Sequence, residues 1–249
     1  ALAALPTTRR VGTKLFSVEG CVQDTGHWES LVAGRRYTAF QAGVQLANRV
    51  GALNNIEFSE FVVKTQAFAD ALGGSASFSD MLEEVARARE LDQFASVHDA
   101  QLSFTLCARS SAWSPGYIHQ HAARLGFVPG VIPGRMVMPA AVQGLPPVLS
   151  LTFDTHAAMA EDPDLSAIRS FALSLDVPQI AREEQPYERL REASVVLASQ
   201  MDGVVTDGEG QVLSEATLDQ IGVDLQQLYD ALDARELSAG SPQARRLFS

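Results

Sequence analysis

Phe58-Ser-Glu-Phe61-Val-Val-Lys-Thr-Gln-Ala-Phe68-Ala-Asp-Ala-Leu72-Gly-Gly74 is echoed later in the chain by Tyr187-Glu-Arg-Leu190-Arg-Glu-Ala-Ser-Val-Val-Leu197-Ala-Ser-Gln-Met201-Asp-Gly203. Phe58 falls with Tyr187, Phe61 with Leu190, Phe68 with Leu197 and Leu72 with Met201. The apolar spacing is that of a helix packed on one face. Both segments end on glycine, which tolerates a left-handed C-terminal turn.

The echo extends outward in both directions. Lys14–Val18 reads as a short strand, followed by a polar loop through Gly26 and Gly34. Between Tyr37 and Ala47, Phe40, Ala42, Val44 and Leu46 alternate, the period of a half-buried strand. Asn54 and Asn55 offer a cap for the first helix. Ser75–Phe78 reads as a short extended piece, and Asp80 to Glu83 opens a second helix reaching about His98.

The later half opens on the alternating strand Leu102-Ser-Phe104-Thr-Leu106. Ser114-Pro-Gly leads into a helix from Tyr117 to Leu125, closed by Gly126. Further strands are expected at Arg135–Met138, Val148–Phe153 and Phe171–Val177, with a loop at Glu161-Asp-Pro-Asp164. After the echoed helix, Val204-Val205 and Val212-Leu213 flank the hairpin signal Asp207-Gly-Glu-Gly. Ser214 caps a last helix with Leu218, Ile221, Leu225, Leu228 and Leu232 on one stripe.

Strand, strand, helix, short extended piece and helix thus recur in the same order. The strands around Phe40 and Phe171 are 131 residues apart, and the helices 129. The spacing predicts a duplicated fold, the earlier copy lacking the strand–helix–strand of 102–138. A fold used twice without catalytic residues points to binding.

Composition narrows the partners. The chain has 249 residues, 46% of them hydrophobic, enough for one large domain or two small ones. Its net charge of −11 argues against nucleic acid and anionic membrane surfaces, which need clustered Lys and Arg. Cys21 and Cys107 form neither a metal spacing nor a disulfide framework. No apolar run reaches about 18 residues, so no membrane span is expected. Ala1–Gly12 reads as the end of a linker whose upstream segment is missing, and 238–249 as a loose tail.

Motifs that carry chemistry are sparse. His119 and His121 sit in the expected helix, where two residues turn side chains about 200° apart, unsuited to one metal. No G-x-S-x-G elbow, Walker loop or dinucleotide fingerprint appears. Gly130-Val-Ile-Pro-Gly134 reads as a turn, and Asp202–Gln211 lacks the alternating oxygen ligands of a calcium loop. No catalytic residue, metal ligand or cofactor is assigned, and the chain reads as non-enzymatic.

Four stretches carry a family resemblance: Gln101-Leu-Ser-Phe-Thr-Leu-Cys-Ala-Arg109; Leu125-Gly-Phe-Val128; Pro147-Val-Leu-Ser-Leu151 with Leu173-Ser-Leu-Asp-Val-Pro178; and Met201-Asp-Gly-Val-Val-Thr-Asp207 with Leu213-Ser214 and the final helix. In order and spacing, residues 100–236 resemble the C-terminal FtsZ-binding domain of the bacterial division protein ZipA. The resemblance implies an α/β (α+β) fold: an antiparallel six-stranded sheet with three helices on one face. The other face is then an open groove for the C-terminal tail of FtsZ, the tubulin-like division GTPase. The organisation expected is a linker remnant at 1–12, a truncated ZipA-like repeat at 13–99, the ZipA-like domain at 100–237 and a tail at 238–249.

Alternation puts Leu102, Phe104, Leu106, Phe171, Leu173, Leu175 and Val177 under the helices. The candidate peptide-binding residues are then Ser103, Thr105, Met136, Met138, Thr152, Asp154, Ala172 and Ser174, with Cys107 beside them. Met136 and Met138 are the expected apolar anchors on a floor more polar than the family's. The partner implied is the FtsZ C-terminal peptide. Membrane contact is expected only through an upstream anchor, placing the chain as the cytoplasmic part of an inner-membrane-anchored bacterial protein. A scaffold of the same fold with a different partner is the alternative.

Overall fold

The computed structural model describes residues 1–159 and 167–249, and the loop expected at Glu161–Asp164 lies outside them. The chain folds as mixed α/β with antiparallel sheets. It divides into two units: Ala1–Val97 with Arg246–Ser249, and His98–Arg245.

In the first unit, β1 (Arg10–Val11), β2 (Lys14–Val22), β3 (Trp28–Ser30) and β4 (Tyr37–Val44) form one sheet. β4 pairs with one side of β2, and β1 and β3 pair with β2 as well. β5 (Ala47–Asn48) and β6 (Gly51–Ala52) make a small hairpin before α1 (Asn55–Ala71) and α2 (Met81–His98). Asn54 caps α1 by accepting from the Ile56 and Glu57 amides, and Glu57 answers to the Asn54 amide, a reciprocal capping box. Along β2, Phe16, Val18 and Val22 are buried, and Phe16 and Val18 pack in one core with Phe58, Phe61 and Phe68 of α1.

Lys14, charged and expected in a strand, is fully buried at 2% exposure. Its ammonium donates to Thr13 Oγ1 at 2.8 Å and Asn48 Oδ1 at 3.1 Å, with Glu57 Oε1 at 4.0 Å. A buried charge persists only when paired and hydrogen-bonded, and this cluster supplies both.

In the second unit, six strands run in the order β12-β7-β11-β10-β9-β8, all antiparallel. They are β7 (Gln101–Ala108), β8 (Val128–Pro129), β9 (Arg135–Met138), β10 (Leu149–Thr152), β11 (Ser170–Asp176) and β12 (Gly203–Thr206). α3 (Pro115–Arg124), α5 (Pro186–Gln200) and α6 (Glu215–Asp233) bury Ile118, Leu190, Leu197, Leu218 and Leu225 in the same core as Phe104, Leu106, Phe171, Leu173 and Leu175. α4 (Thr155–Ala158) and α7 (Pro242–Leu247) are short. Ser114 and Ser214 cap α3 and α6 as their positions predict, each side chain accepting an amide three residues on.

The echoed positions are buried alike. Phe58, Phe61 and Phe68 in α1 and Tyr187, Leu190 and Leu197 in α5 are all under 9% exposed. The C-terminal turns differ from expectation in one copy. Gly73 takes the left-handed conformation at φ 66°, but after α5 that role falls to Asp202, at φ 50°. Gly203 is needed for space instead, because a Cβ there would meet the Trp113 ring and the Cys107 carbonyl oxygen at 3.3 Å.

The ends are built in rather than loose. Val11 is fully buried, and Ala4 and Leu5 pack against the first unit's core, so 1–12 is part of the fold. α7 and the buried Leu247 and Phe248 replace the expected tail. Gln45 donates to the Arg246 carbonyl and the Arg49 amide to the Ser249 carbonyl, tying these residues to the first unit. Sequence composition hid this, because a six-residue helix has too few apolar positions to show a period.

Candidate functional site

Strand register defines the sheet face turned away from the second unit's core. One cross-strand row runs Val128–Val137–Ser150–Ser174–Ser103. The next runs Arg135–Thr152–Ala172–Thr105–Thr206. Cys107 and Val204 lie one step further along β7 and β12. Most of these side chains are half-buried or exposed, while their neighbours on the core face are buried. Thr206 is the exception, buried with its Oγ1 donating to the Thr105 carbonyl at 3.2 Å.

The floor is made of small and hydroxylated side chains. Ser103 Oγ lies 3.3 Å from Ser174 Oγ, and Cys107 Sγ lies 3.9 Å from Thr206 Oγ1. Arg135 reaches across to donate to Ser150 Oγ at 3.2 Å and adds a positive charge to the face. Val128, Val137, Ala172 and Val204 are the apolar members. Such a surface is shallow and complementary to an extended chain. Its hydroxyls can exchange hydrogen bonds with a peptide backbone, and Arg135 can hold a carboxylate.

Of the residues predicted for this face, Ser103, Thr105, Thr152, Ala172 and Ser174 are on it. Met136 and Met138 are not. The register Met136↔Leu151 and Met138↔Leu149 turns both inward, where they are 1% and 9% exposed within the core. β9 is only four residues long and Met-Val-Met is apolar at every position, so no alternation marks its inner side. Asp154 also lies off the sheet: β10 ends at Thr152, and the Asp154 carboxylate caps α4 by accepting from the His156 amide at 2.8 Å.

Arg135, Val137 and Ser150 were missed. Ser150 stands two residues before Thr152 and shares its face by strand period, a signal present in the sequence. The other two follow only once β9 is turned over. The helix histidines have separate surroundings: His121 Nδ1 is 3.1 Å from Gln200 Oε1, and the His119 ring lies edge-on to Phe153 at 5.7 Å.

No protein-family model matches the chain, and a search of curated proteins finds no significant match.

Proposed function

We propose that the second unit is a ZipA-type peptide-binding domain and that the chain is a non-enzymatic division adaptor. On this reading it captures the C-terminal tail of FtsZ on the open sheet face and tethers it to the inner membrane through an anchor upstream. The first unit is a shortened second copy of the same fold. The observation that carries the reading is the layered arrangement: a six-stranded antiparallel sheet with α3, α5 and α6 against one face and small side chains on the other. It stands beside the four-stretch sequence resemblance.

Charge supports a tail bearing Lys or Arg. Between His98 and Arg245 nine basic residues stand against nineteen acidic ones, whereas the first unit is nearly balanced at ten against eleven. The acidic excess therefore belongs to the unit with the open face, and it would speed capture of a basic segment.

Titration of the whole chain with a synthetic FtsZ C-terminal peptide tests the reading. Saturable binding weakened about tenfold by Ala172→Asp or Val137→Asp supports it, since each buries a carboxylate under the peptide. No binding at roughly 0.5 mM peptide overturns it. A second reading, a scaffold of the same fold with another partner, is favoured by the hydroxyl-rich floor, because apolar anchors dominate peptide affinity. Failure of the FtsZ peptide, with the sheet-face variants still folded, favours that scaffold.

A further inference from the structure

β4 is an edge strand that its own sequence does not prepare for exposure. Phe40, Ala42 and Val44 stand 131 residues before Phe171, Leu173 and Leu175, on the strand that follows the same neighbour in order. The later three are 2%, 0% and 1% exposed; Phe40 is 36% exposed, and Ala42 and Val44 are only half-buried. The difference lies in the neighbours. In the second unit β7 sits between β11 and β12, with Leu106, Phe104 and Leu102 opposite Phe171, Leu173 and Leu175. In the first unit β4 pairs only with β2, so its outer edge has no strand partner among the described residues.

The backbone of that edge is available. The Gln45 amide donates to the Leu15 carbonyl at 2.9 Å, so the odd-numbered residues of β4 bond to β2 in the antiparallel register. The N–H and C=O groups of Phe40 and Ala42 then point outward. A groove of about 680 Å³ lies there, lined by Thr38–Ala42, by Phe61, Phe68 and Leu72 of α1, and by 74–79. Phe40 packs edge-on against Phe68 at 5.4 Å and Phe78 edge-on against Phe61 at 6.3 Å, so both walls rest on the aromatic face of α1. Thr65, also in the lining, has its Oγ1 shielded from solvent without a hydrogen-bond partner. The segment 75–78 follows Gly74 as β12 follows its own helix, yet it joins no strand ladder.

We infer that this groove is a vacant strand site: an extended segment of a partner protein adds to the edge of β4, between it and 74–79, in the place β7 holds in the second unit. The occupant is fixed by the lining. It is an uncharged run of about five residues, spanning about 17 Å, with bulky apolar side chains at every second position turned toward α1. No lining residue is charged, and Leu102–Ala108, the strand that fills the equivalent place, carries no charge either. Exposed Asp70 and Asp80, next in the chain to lining residues Ala69 and Ser79, favour a Lys or Arg flanking the apolar run. The inference rests on the two units being copies and not on FtsZ as partner.

The probe is a synthetic peptide copying Gln101–Ala108, with Ser in place of Cys107 and lysines appended for solubility. The control peptide carries Ser in place of Leu102, Phe104 and Leu106. The full chain is expected to bind the first peptide at least about tenfold tighter than the control, with slowed hydrogen exchange at the Phe40 and Ala42 amides. Ala69→Trp, which fills the groove, abolishes that binding while leaving FtsZ-peptide binding unchanged. Equal binding of both peptides, or protection on another strand, overturns the inference. So does protection of the same amides in a concentration-dependent dimer without peptide, which would make a second copy the occupant. Loss of FtsZ-peptide binding alone removes only the division role.

Discussion

Phe40 and Phe171 hold equivalent places on two similar strands, and one is half in water while the other is sealed. Each follows an antiparallel neighbour and precedes a helix with aromatic or aliphatic residues at matching positions. Burial of a strand is therefore decided by what pairs beyond it as much as by its own alternation. A repeat that loses one strand keeps its pattern and exposes its edge.

The largest expected effect measures that difference directly. Phe171→Ala opens a cavity beside Leu106 and Trp113, whose ring centroid is 5.4 Å away, and is expected to cost about 3–5 kcal/mol. Phe40→Ala removes a ring already a third in solvent and is expected to cost about 1–2 kcal/mol. Urea unfolding followed separately for each unit reads both values. Equal losses would show that Phe40 is covered as well as Phe171, and the contrast between the strands would fail.

The next effect concerns how the two units start their echoed helices. The position 129 residues after Glu57 is Pro186, which needs no cap partner for its missing N–H. Glu57 serves instead as a hub, accepting from the Thr13 amide and hydroxyl at 3.1 Å and lying by the Lys14 ammonium. Glu57→Ala leaves a buried cation with its charge partner gone and is expected to cost about 3 kcal/mol. The double variant Lys14→Met with Glu57→Leu is expected to recover most of that loss, because neither charge then remains buried. No recovery would mean that the capping box, not the ion pair, carries the energy.

How much of this was legible depended on the kind of signal. The helices at 55–71, 186–200 and 215–233 declared themselves through four or more apolar positions at helical period, and Asn54, Ser114 and Ser214 marked starts. β7 and β11 showed their inner face because serine and threonine alternate with large apolar residues. β9 did not, and that one ambiguity moved Met136 and Met138 from the core to the candidate groove. Trp28–Ser30 lay in a polar loop too short for any period. Lys14 was hidden because a charged residue in a strand reads as solvent-facing, and only Asn48 and Glu57, 34 and 43 residues on, explain its burial. Of the candidate site, the hydroxyl-bearing centre was readable and its Arg135–Val137 rim was not.

Alkaline pH should separate the units. Tyr187 stands in α5 where α1 has Phe58, and Tyr229 lies in the second core. Burial, helped by the nearby Glu188 charge and opposed by Arg182, pushes the Tyr229 phenol up to about 12. Burial likewise raises Tyr187, whose hydroxyl donates to the Leu218 carbonyl. A phenol raised on folding favours the native state while it stays neutral. That contribution is whole below about pH 10, the unfolded value, and is lost as pH climbs toward about 12. The second unit should therefore lose stability over that interval more steeply than the first. Tyr187→Phe with Tyr229→Phe should flatten the difference, as followed by near-ultraviolet circular dichroism of the buried Trp113. An unchanged slope would assign the alkaline loss to other groups.

The smallest effect lies at the two left-handed helix ends. Gly73 at φ 66° has open space around its Cβ position, so Gly73→Ala meets no clash and only the backbone conformation resists it, at a cost of about 1 kcal/mol. Asp202 accepts the same conformation with a side chain present, and its carboxylate accepts from Ser110 Oγ at 2.8 Å. Asp202→Gly relieves the backbone but gives up that exposed hydrogen bond and adds chain entropy to the unfolded state, so the terms offset to within about 0.5 kcal/mol. A clear gain in stability from Asp202→Gly would show that the aspartate is held there for something other than the turn. Since its backbone carbonyl also accepts from the Arg109 amide at the end of β7, that something would lie where the second unit has a strand and the first has an empty edge.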